Sequence, residues 1–173
     1  MLQRAQRLDI PWERVAPALL AGVLAAIYVA VSPPSLDLAA HMLRAKLFGA
    51  EGFGIWNNWW YAGHPMVMYS LLFPAVAWAL TPQLAAALAA TATAALFEPL
   101  ARRHFGQSAW LGSLWFAAGT ATNLYTGRLT FAFGMLPAVA AALALQRNRL
   151  VAATALAALT ALCSPCLLYT SPS

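Results

Sequence analysis

The segment 32–69 holds the side chains that could do chemistry, and long apolar runs flank it on both sides. Asp37, His41 and Arg44 follow one another at spacings of four and three residues, which places them on one face of a helix. A carboxylate in this position could act as a general base or hold a metal ion. A guanidinium beside it has the shape to bind a lipid-linked phosphate through two parallel hydrogen bonds. The spacing therefore indicates acid–base or phosphate chemistry on one helix face.

Each of these side chains also has a structural explanation. Asp37 would stabilise the start of a helix through the helix dipole, by up to about 1 kcal/mol. Arg44 would pair with an acid or with lipid headgroups. Asp37 and His41 could join His64 in a set of two imidazoles and one carboxylate, which is a ligand combination found at metal sites. A divalent metal is therefore one alternative that the sequence leaves open.

An aromatic cluster follows this helix in the same segment. Trp and Tyr side chains collect at membrane–water interfaces. Alternatively, they stack on sugar rings while the amide of a neighbouring asparagine binds the sugar hydroxyl groups. The turn Gly63–Pro65 would then set how the cluster meets the next apolar run. We assign the following residues of this cluster to substrate binding: Trp56, Asn57, Trp59, Trp60, Tyr61 and His64.

Arg128 lies much later in the chain, between two apolar runs in NLYTGRLTFAFG. A long cationic side chain there could extend to the membrane surface, or it could contact a phosphate. Both alternatives stay open. The second adds Arg128 to the substrate-binding residues, together with His41 and Arg44.

Composition predicts a membrane protein. The chain is 62% hydrophobic and 9% charged, with a mean hydropathy of +0.67, whereas soluble domains carry about 25% charged residues. Too little polar surface remains to cover a water-soluble fold. The net charge of +5 comes from arginines in short clusters between apolar runs, without the basic face or stripe of a nucleic-acid-binding protein. The bilayer is the expected partner, and no nucleic acid is expected.

The apolar runs predict an all-α, polytopic bundle of transmembrane helices. Five runs are predicted to cross the membrane: 15–31, 84–100, 108–125, 130–145 and 150–162. The run 66–80 is interrupted by Pro74 and is predicted to be a broken helix that does not cross, which is allowed beside a protein-enclosed cavity.

The segment after the first span predicts an amphipathic helix. Ser35 can cap it, Asp37 would lie in its first turn, and it should run to about Phe48 and stop at Gly49. Polar residues share one face and leucines another, which is typical of a helix lying on the membrane surface. The following residues, 51–65, are rich in Gly, Asn and aromatics and are predicted to form a loop.

The distribution of basic residues predicts the orientation. If 66–80 does not cross, seven arginines lie on the N-terminal side of the membrane and three basic residues lie on the other; a crossing would give four and six. Basic residues collect on the cytoplasmic side. We therefore expect residues 1–14 to be cytoplasmic and the first outer loop, 32–65, to be extracytoplasmic.

The C-terminal residues contain Cys163 and Cys166 in the motif C-S-P-C, without the second pair or nearby histidine that would indicate zinc. Residues 166–173 can be encoded by codons beginning TGT CTC TTA TAC ACA TCT, which resemble a transposase adapter used in sequencing libraries. We expect 166–173 to be a non-native tail, and 15–165 to be the transmembrane domain of a longer protein. An ordinary apolar tail is the alternative.

Three motifs now stand together: D-L-A-A-H-x-x-R-A-x-L-F from Asp37, W-N-N-W-W-Y-A-G-H-P from Trp56, and M-Y-S-L-L-F-P from Met68. With them the chain resembles the GT-C superfamily of polytopic membrane glycosyltransferases and related bacterial membrane proteins. The resemblance implies a multi-pass protein of the bacterial plasma membrane. It also implies that the first outer loop carries the catalytic acid, here Asp37, and that the donor is a sugar on polyprenyl phosphate.

The resemblance implies transfer of that sugar on the extracytoplasmic face. Asp37 would deprotonate an acceptor hydroxyl, Arg44 or Arg128 would stabilise the departing lipid phosphate, and the aromatic cluster would hold the sugar. The alternative is a non-enzymatic protein, either a transporter of lipid-linked sugars or an accessory subunit. A transporter should have polar or broken spans along a central path, whereas these spans are nearly all alanine and leucine.

Overall fold

The computed structural model describes residues 12–58 and 62–169. Within these ranges the chain is almost entirely helical, so the all-α prediction is confirmed. The elements in chain order are α1 (Trp12–Val31), α2 (Leu38–Glu51), β1 (Trp56–Asn57), β2 (Met66–Val67), α3 (Phe73–Leu80), α4 (Pro82–Phe105), α5 (Ala109–Tyr125), α6 (Leu129–Gln146), α7 (Leu150–Cys163) and α8 (Cys166–Tyr169).

All five runs predicted to be spans form helices, namely α1, α4, α5, α6 and α7. By length and composition, three stretches could cross a membrane: Trp12–Val31, Pro82–Tyr125 and Leu129–Gln146. The middle stretch contains α4 and α5, joined by the short 3₁₀ turn Gly106–Ser108. The fifth of these helices, α7, is apolar but shorter.

Alanine forms most of the core between these helices. Helix α4 packs against α1, α5 and α6, and α6 packs against α7. Ala86, Ala90 and Ala94 on α4 are fully buried, and so are Ala21 on α1 and Ala117 on α5. Small side chains let helix backbones approach closely. Such close packing stabilises helix contacts within lipid, where the hydrophobic effect does not drive helices together.

The predicted amphipathic helix exists, but both of its predicted ends are wrong. Helix α2 begins at Leu38, so Asp37 occupies the N-cap position rather than the first turn, and it makes no side-chain cap hydrogen bond. The helix continues through Gly49 to Glu51 and ends at Gly52, whose φ of +77° suits glycine. Gly49 instead makes room for Trp78 of α3, because a Cβ at Gly49 would overlap that indole ring.

The predicted loop 51–65 and broken helix 66–80 fold differently from the expectation. Strands β1 and β2 pair antiparallel, with Trp56 opposite Val67 and Asn57 opposite Met66. Only Phe73–Leu80 of the second stretch is helical. Eight residues span about 12 Å at 1.5 Å per residue, far less than the hydrocarbon core of about 30 Å. Helix α3 is therefore too short to cross a membrane by itself.

The segment between α1 and α4 begins and ends at the same end of the helix bundle. The Gln83 side chain at the start of α4 donates to Ser32 Oγ after α1, at 3.2 Å. Tyr28 near the end of α1 packs edge-on against Tyr125 at the end of α5. The backbone N–H of Leu71 donates to the carbonyl of Leu162 near the end of α7, at 2.9 Å. We call this the site end.

The opposite end, which we call the basic end, is also defined by contacts. Gln146 at the end of α6 donates to the carbonyl of Leu100 in α4, at 3.0 Å. Arg102 of α4 lies 3.9 Å from the Glu13 carboxylate in the first turn of α1. The helices α1, α4, α5, α6 and α7 therefore alternate in direction. The described arginines at the basic end are Arg14, Arg102, Arg103, Arg147 and Arg149.

This arrangement predicts that the two ends face opposite sides of a membrane. In a Cys163→Ala/Cys166→Ala background, Leu36→Cys at an exposed position should react with an impermeant maleimide from only one side of sealed vesicles. Gln107→Cys, at an exposed position in the α4–α5 turn, should react only from the other side. Labelling of both positions from the same side would contradict the alternating arrangement.

Candidate functional site

A cavity of about 460 Å³ opens at the site end, and we call it the site cavity. Asp37, His41 and Arg44 line it from α2 and the residue before α2, so the predicted common face is confirmed. Arg128 lines it from the turn between α5 and α6. Tyr69, which precedes α3, completes the polar wall. Four of the residues singled out from the sequence therefore meet in one place.

The charges in the site cavity are available to a ligand. Asp37 and Arg128 are exposed and Arg44 is half-buried. Within residues 12–58 and 62–169, none of these three takes part in an ion pair. One carboxylate and two guanidiniums leave a local excess of one positive charge, which suits a phosphodiester carrying a single negative charge.

Three of the predicted sugar-binding residues, Trp56, Asn57 and His64, do not line the site cavity. Trp56 and Asn57 line a separate cavity of about 120 Å³, formed by the strand pair and the C-terminal end of α2. His64 is exposed and lines neither of these two cavities. Trp59, Trp60 and Tyr61 fall outside the described residues, so their assignment stays a prediction. The structure thus separates Trp56 and Asn57 from the cavity that holds Asp37.

The described residues do not fit a metal centre. No group of three His, Cys, Asp or Glu side chains is close enough to hold a metal ion in the described ranges. The alternative set of Asp37, His41 and His64 is therefore not assembled, because His64 lies in the exposed turn between the strands. The site cavity offers one carboxylate and one imidazole, and a protein-bound divalent metal usually takes more ligands.

His41 connects the two parts of the site. Its side chain is 5% exposed and packs edge-on against Phe73 of α3, with ring centroids 5.4 Å apart. Its Nε2 lies 3.2 Å from the carbonyl oxygen of Gly127, which can only accept, so Nε2 carries the hydrogen and donates it. This bond ties α2, with Asp37 and Arg44, to the turn that carries Arg128.

The same hydrogen bond fixes the tautomer of the His41 ring, and burial sets its charge. With the hydrogen on Nε2, the buried Nδ1 bears a lone pair and has no hydrogen-bond partner in the described structure. Burial lowers the pKa of His41, and the neighbouring Arg44 lowers it further. The bond to Gly127 and the charge of Asp37 act in the opposite direction but do not restore the pKa to its usual value. His41 is therefore neutral at pH 7.

Gly127 makes the close approach between these segments possible. Its φ is +81°, which other residues adopt only at a cost. A Cβ at this position would lie 2.5 Å from Ser35 Oγ and 2.8 Å from Ser35 Cβ. The glycine therefore allows the α5–α6 turn to rest directly on the residues that lead into α2.

Sequence reasoning missed three contributors to the site cavity: Gly127, Tyr69 and Thr130. Gly127 had a usable signal, since a glycine just after an apolar helix often adopts a left-handed conformation and ends the helix. Tyr69 and Thr130 had no local signal, because only the tertiary structure brings the residues before α3 and the start of α6 to the cavity wall.

Comparison of the chain with protein-family models, with curated proteins and with solved structures found no match.

A substitution at Gly127 should lower the stability of the protein. Gly127→Ala places a methyl group against Ser35 and forces alanine into a left-handed conformation, which alone costs about 1–2 kcal/mol. We expect a lower midpoint of thermal unfolding in detergent. Gly119→Ala, in the open interior of α5, is the matched control and should leave stability unchanged or raise it by roughly 0.5–1 kcal/mol. Equal effects of the two variants would contradict the close approach.

Stability should fall in mild acid because of His41. Its pKa is about 6.5 in the unfolded chain and lower in the folded protein. As the pH falls below about 6.5, the unfolded chain takes up a proton that the folded protein resists, so the free energy of unfolding decreases until the folded pKa is passed. His41→Gln should remove this dependence between pH 7.5 and 5.5, whereas His64→Gln at an exposed position should retain it. A full acid dependence in His41→Gln would refute the assignment.

Proposed function

We propose that this protein is a multi-pass glycosyltransferase of the bacterial plasma membrane that takes a sugar from a polyprenyl-phosphate donor on the extracytoplasmic face. The observation that carries the proposal is the site cavity, where one carboxylate and two arginines from separate parts of the chain meet at one end of an apolar bundle. The motif resemblance to the GT-C superfamily supports the choice of reaction.

The membrane placement rests on length and charge. Three helical stretches are long and apolar enough to cross a membrane. The basic end has five described arginines, whereas Arg44, Lys46 and Arg128 lie on the site-end segments. Because basic residues favour the cytoplasmic side, this excess supports a cytoplasmic basic end with residues 1–14 beside it. The site cavity would then open on the extracytoplasmic side.

The proposed reaction uses three side chains directly. Asp37 accepts the proton of an acceptor hydroxyl as that oxygen forms a bond to the anomeric carbon of the donor sugar. The bond from that carbon to the phosphate oxygen breaks, and the electron pair leaves with the phosphate. Arg44 and Arg128 stabilise the charge that grows on the departing phosphate, because guanidinium groups form paired hydrogen bonds to its oxygens.

An apolar cavity next to the site cavity supports a lipid-borne donor. It measures about 380 Å³ and lies between α3, α6 and α7. Thr130 lines the site cavity, while Phe133 and Pro137, one and two turns further along α6, line the apolar cavity. A donor with its phosphate beside Arg128 could thus lay the start of its isoprenoid tail against Phe133. A water-soluble nucleotide sugar has no isoprenoid tail to cover that apolar surface.

Trp56 and Asn57 take a different role in this proposal from the one expected. They do not line the site cavity, so they do not hold the donor sugar beside Asp37. The cavity that they line starts at Leu47, one turn of α2 beyond Arg44. An indole ring and an amide there suit stacking on a neighbouring carbohydrate, and the acceptor is the natural candidate.

Substitution of Asp37 tests the proposed reaction. Asp37→Asn keeps the shape of the side chain but removes the base, and general-base catalysis typically contributes 10²–10⁴-fold, so we expect a loss of about that size in turnover. Transfer should be measured from a radiolabelled polyprenyl-phosphate sugar to membrane acceptors at equal protein abundance. An unchanged turnover would remove Asp37 from the mechanism. If the wild type binds the donor but transfers no sugar, the non-enzymatic alternative would be favoured.

The arginine assignment has a matched control in the same experiment. Arg44→Gln should raise the KM for the donor and lower turnover, because the phosphate loses a paired hydrogen bond before and during its departure. Lys46→Gln removes one positive charge from the same helix at an exposed position outside the site cavity, and it should leave both constants unchanged.

A further inference from the structure

A second charged cavity lies at the basic end, on the opposite side of the bundle from the site cavity. Its volume is about 310 Å³, and it is lined by Arg14 of α1 together with Glu98, Pro99, Arg102 and Arg103 of α4. Three arginines therefore line one opening between two helices. The proposed transfer reaction makes no use of it.

The two nearby acids occupy only one of the three arginines. Glu98 is 3% exposed and pairs with Arg102 Nε one turn away on α4, as its spacing in the sequence predicts. Glu13 lies 3.9 Å from Arg102 Nη2, too far for a hydrogen bond. Arg14 and Arg103 form no ion pair with any residue in the described part of the chain.

Arg102 is held in place but is not saturated. Its Nη2 is buried and has no hydrogen-bond partner among the described residues. A guanidinium group has five N–H donors in a fixed plane, so anchoring Nε to Glu98 aims the remaining donors. An unpartnered buried donor costs free energy, and an acceptor group in the cavity would relieve that cost.

We propose that this cavity binds the phosphate of an anionic phospholipid headgroup. The two unpaired arginines supply positive charge, Arg102 supplies an oriented donor, and the cavity lies where a transmembrane bundle meets the headgroup layer. Guanidinium groups match phosphate oxygens in geometry. The ligand is thus a phosphodiester with a net negative charge, such as phosphatidylglycerol, held on the side of the membrane opposite the site cavity.

Native mass spectrometry of the full chain in mixed micelles of phosphatidylglycerol and phosphatidylcholine tests this site. The wild type should retain phosphatidylglycerol preferentially, and its thermal midpoint should rise as that lipid is titrated. Arg14→Gln/Arg103→Gln should weaken retention by about tenfold or more, since each basic residue near a membrane surface contributes about 1 kcal/mol. Arg149→Gln, at an exposed position of the same end outside the cavity, should retain the lipid like the wild type.

The remaining outcomes each decide the question. Equal losses in Arg149→Gln and in Arg14→Gln/Arg103→Gln would overturn the site, because general surface charge would then explain retention. Inorganic phosphate that stabilises the wild type as strongly as the lipid, with the same dependence on Arg14 and Arg103, would overturn the lipid assignment in favour of a soluble phosphate. Lipid retention is measured without substrate, so failure of the proposed transfer reaction would leave this result unaffected.

Discussion

The hydrogen bond from His41 to the carbonyl of Gly127 is the contact on which the site depends. It joins α2 to the turn between α5 and α6, across more than eighty residues of sequence. Together with the close contact of Gly127 with Ser35, it fixes Asp37 and Arg44 relative to Arg128. The bond uses the hydrogen on Nε2, and burial against Phe73 keeps the ring neutral by lowering its pKa.

The bundle can support that contact because its core is made of small side chains. Alanines along α4 let α1, α5 and α6 pack closely around it. The ends of α1 and α5 then lie side by side, as the contact between Tyr28 and Tyr125 shows. The turn after α5 is thereby brought over the start of α2, where Gly127 meets Ser35 without a side chain between them. Helix packing and the glycine together place the turn that carries Arg128 beside the residues that lead into α2.

The two ends of the bundle carry different sets of charged residues. At the site end, a carboxylate and two arginines share one cavity, and a separate apolar cavity lies between α3, α6 and α7. At the basic end, a buried ion pair orients Arg102 beside two arginines that have no acidic partner in the described chain. An excess of cations at one end favours a single orientation in a bilayer.

The sequence by itself determined the helices and the composition of one face. Long apolar runs predict the five core helices, because length and hydrophobicity are local properties, and the spacing of Asp37, His41 and Arg44 already places them together. The ends of α2 and the strand pair were not predictable in this way, because Gly49 and Gly52 look alike until Trp78 packs on one of them. Only the tertiary structure decided that Arg128, Tyr69 and Thr130 join that face while Trp56 and Asn57 do not. The physical reason is that contacts between distant segments depend on helix packing and on one left-handed glycine, and neither leaves a periodic pattern in the sequence.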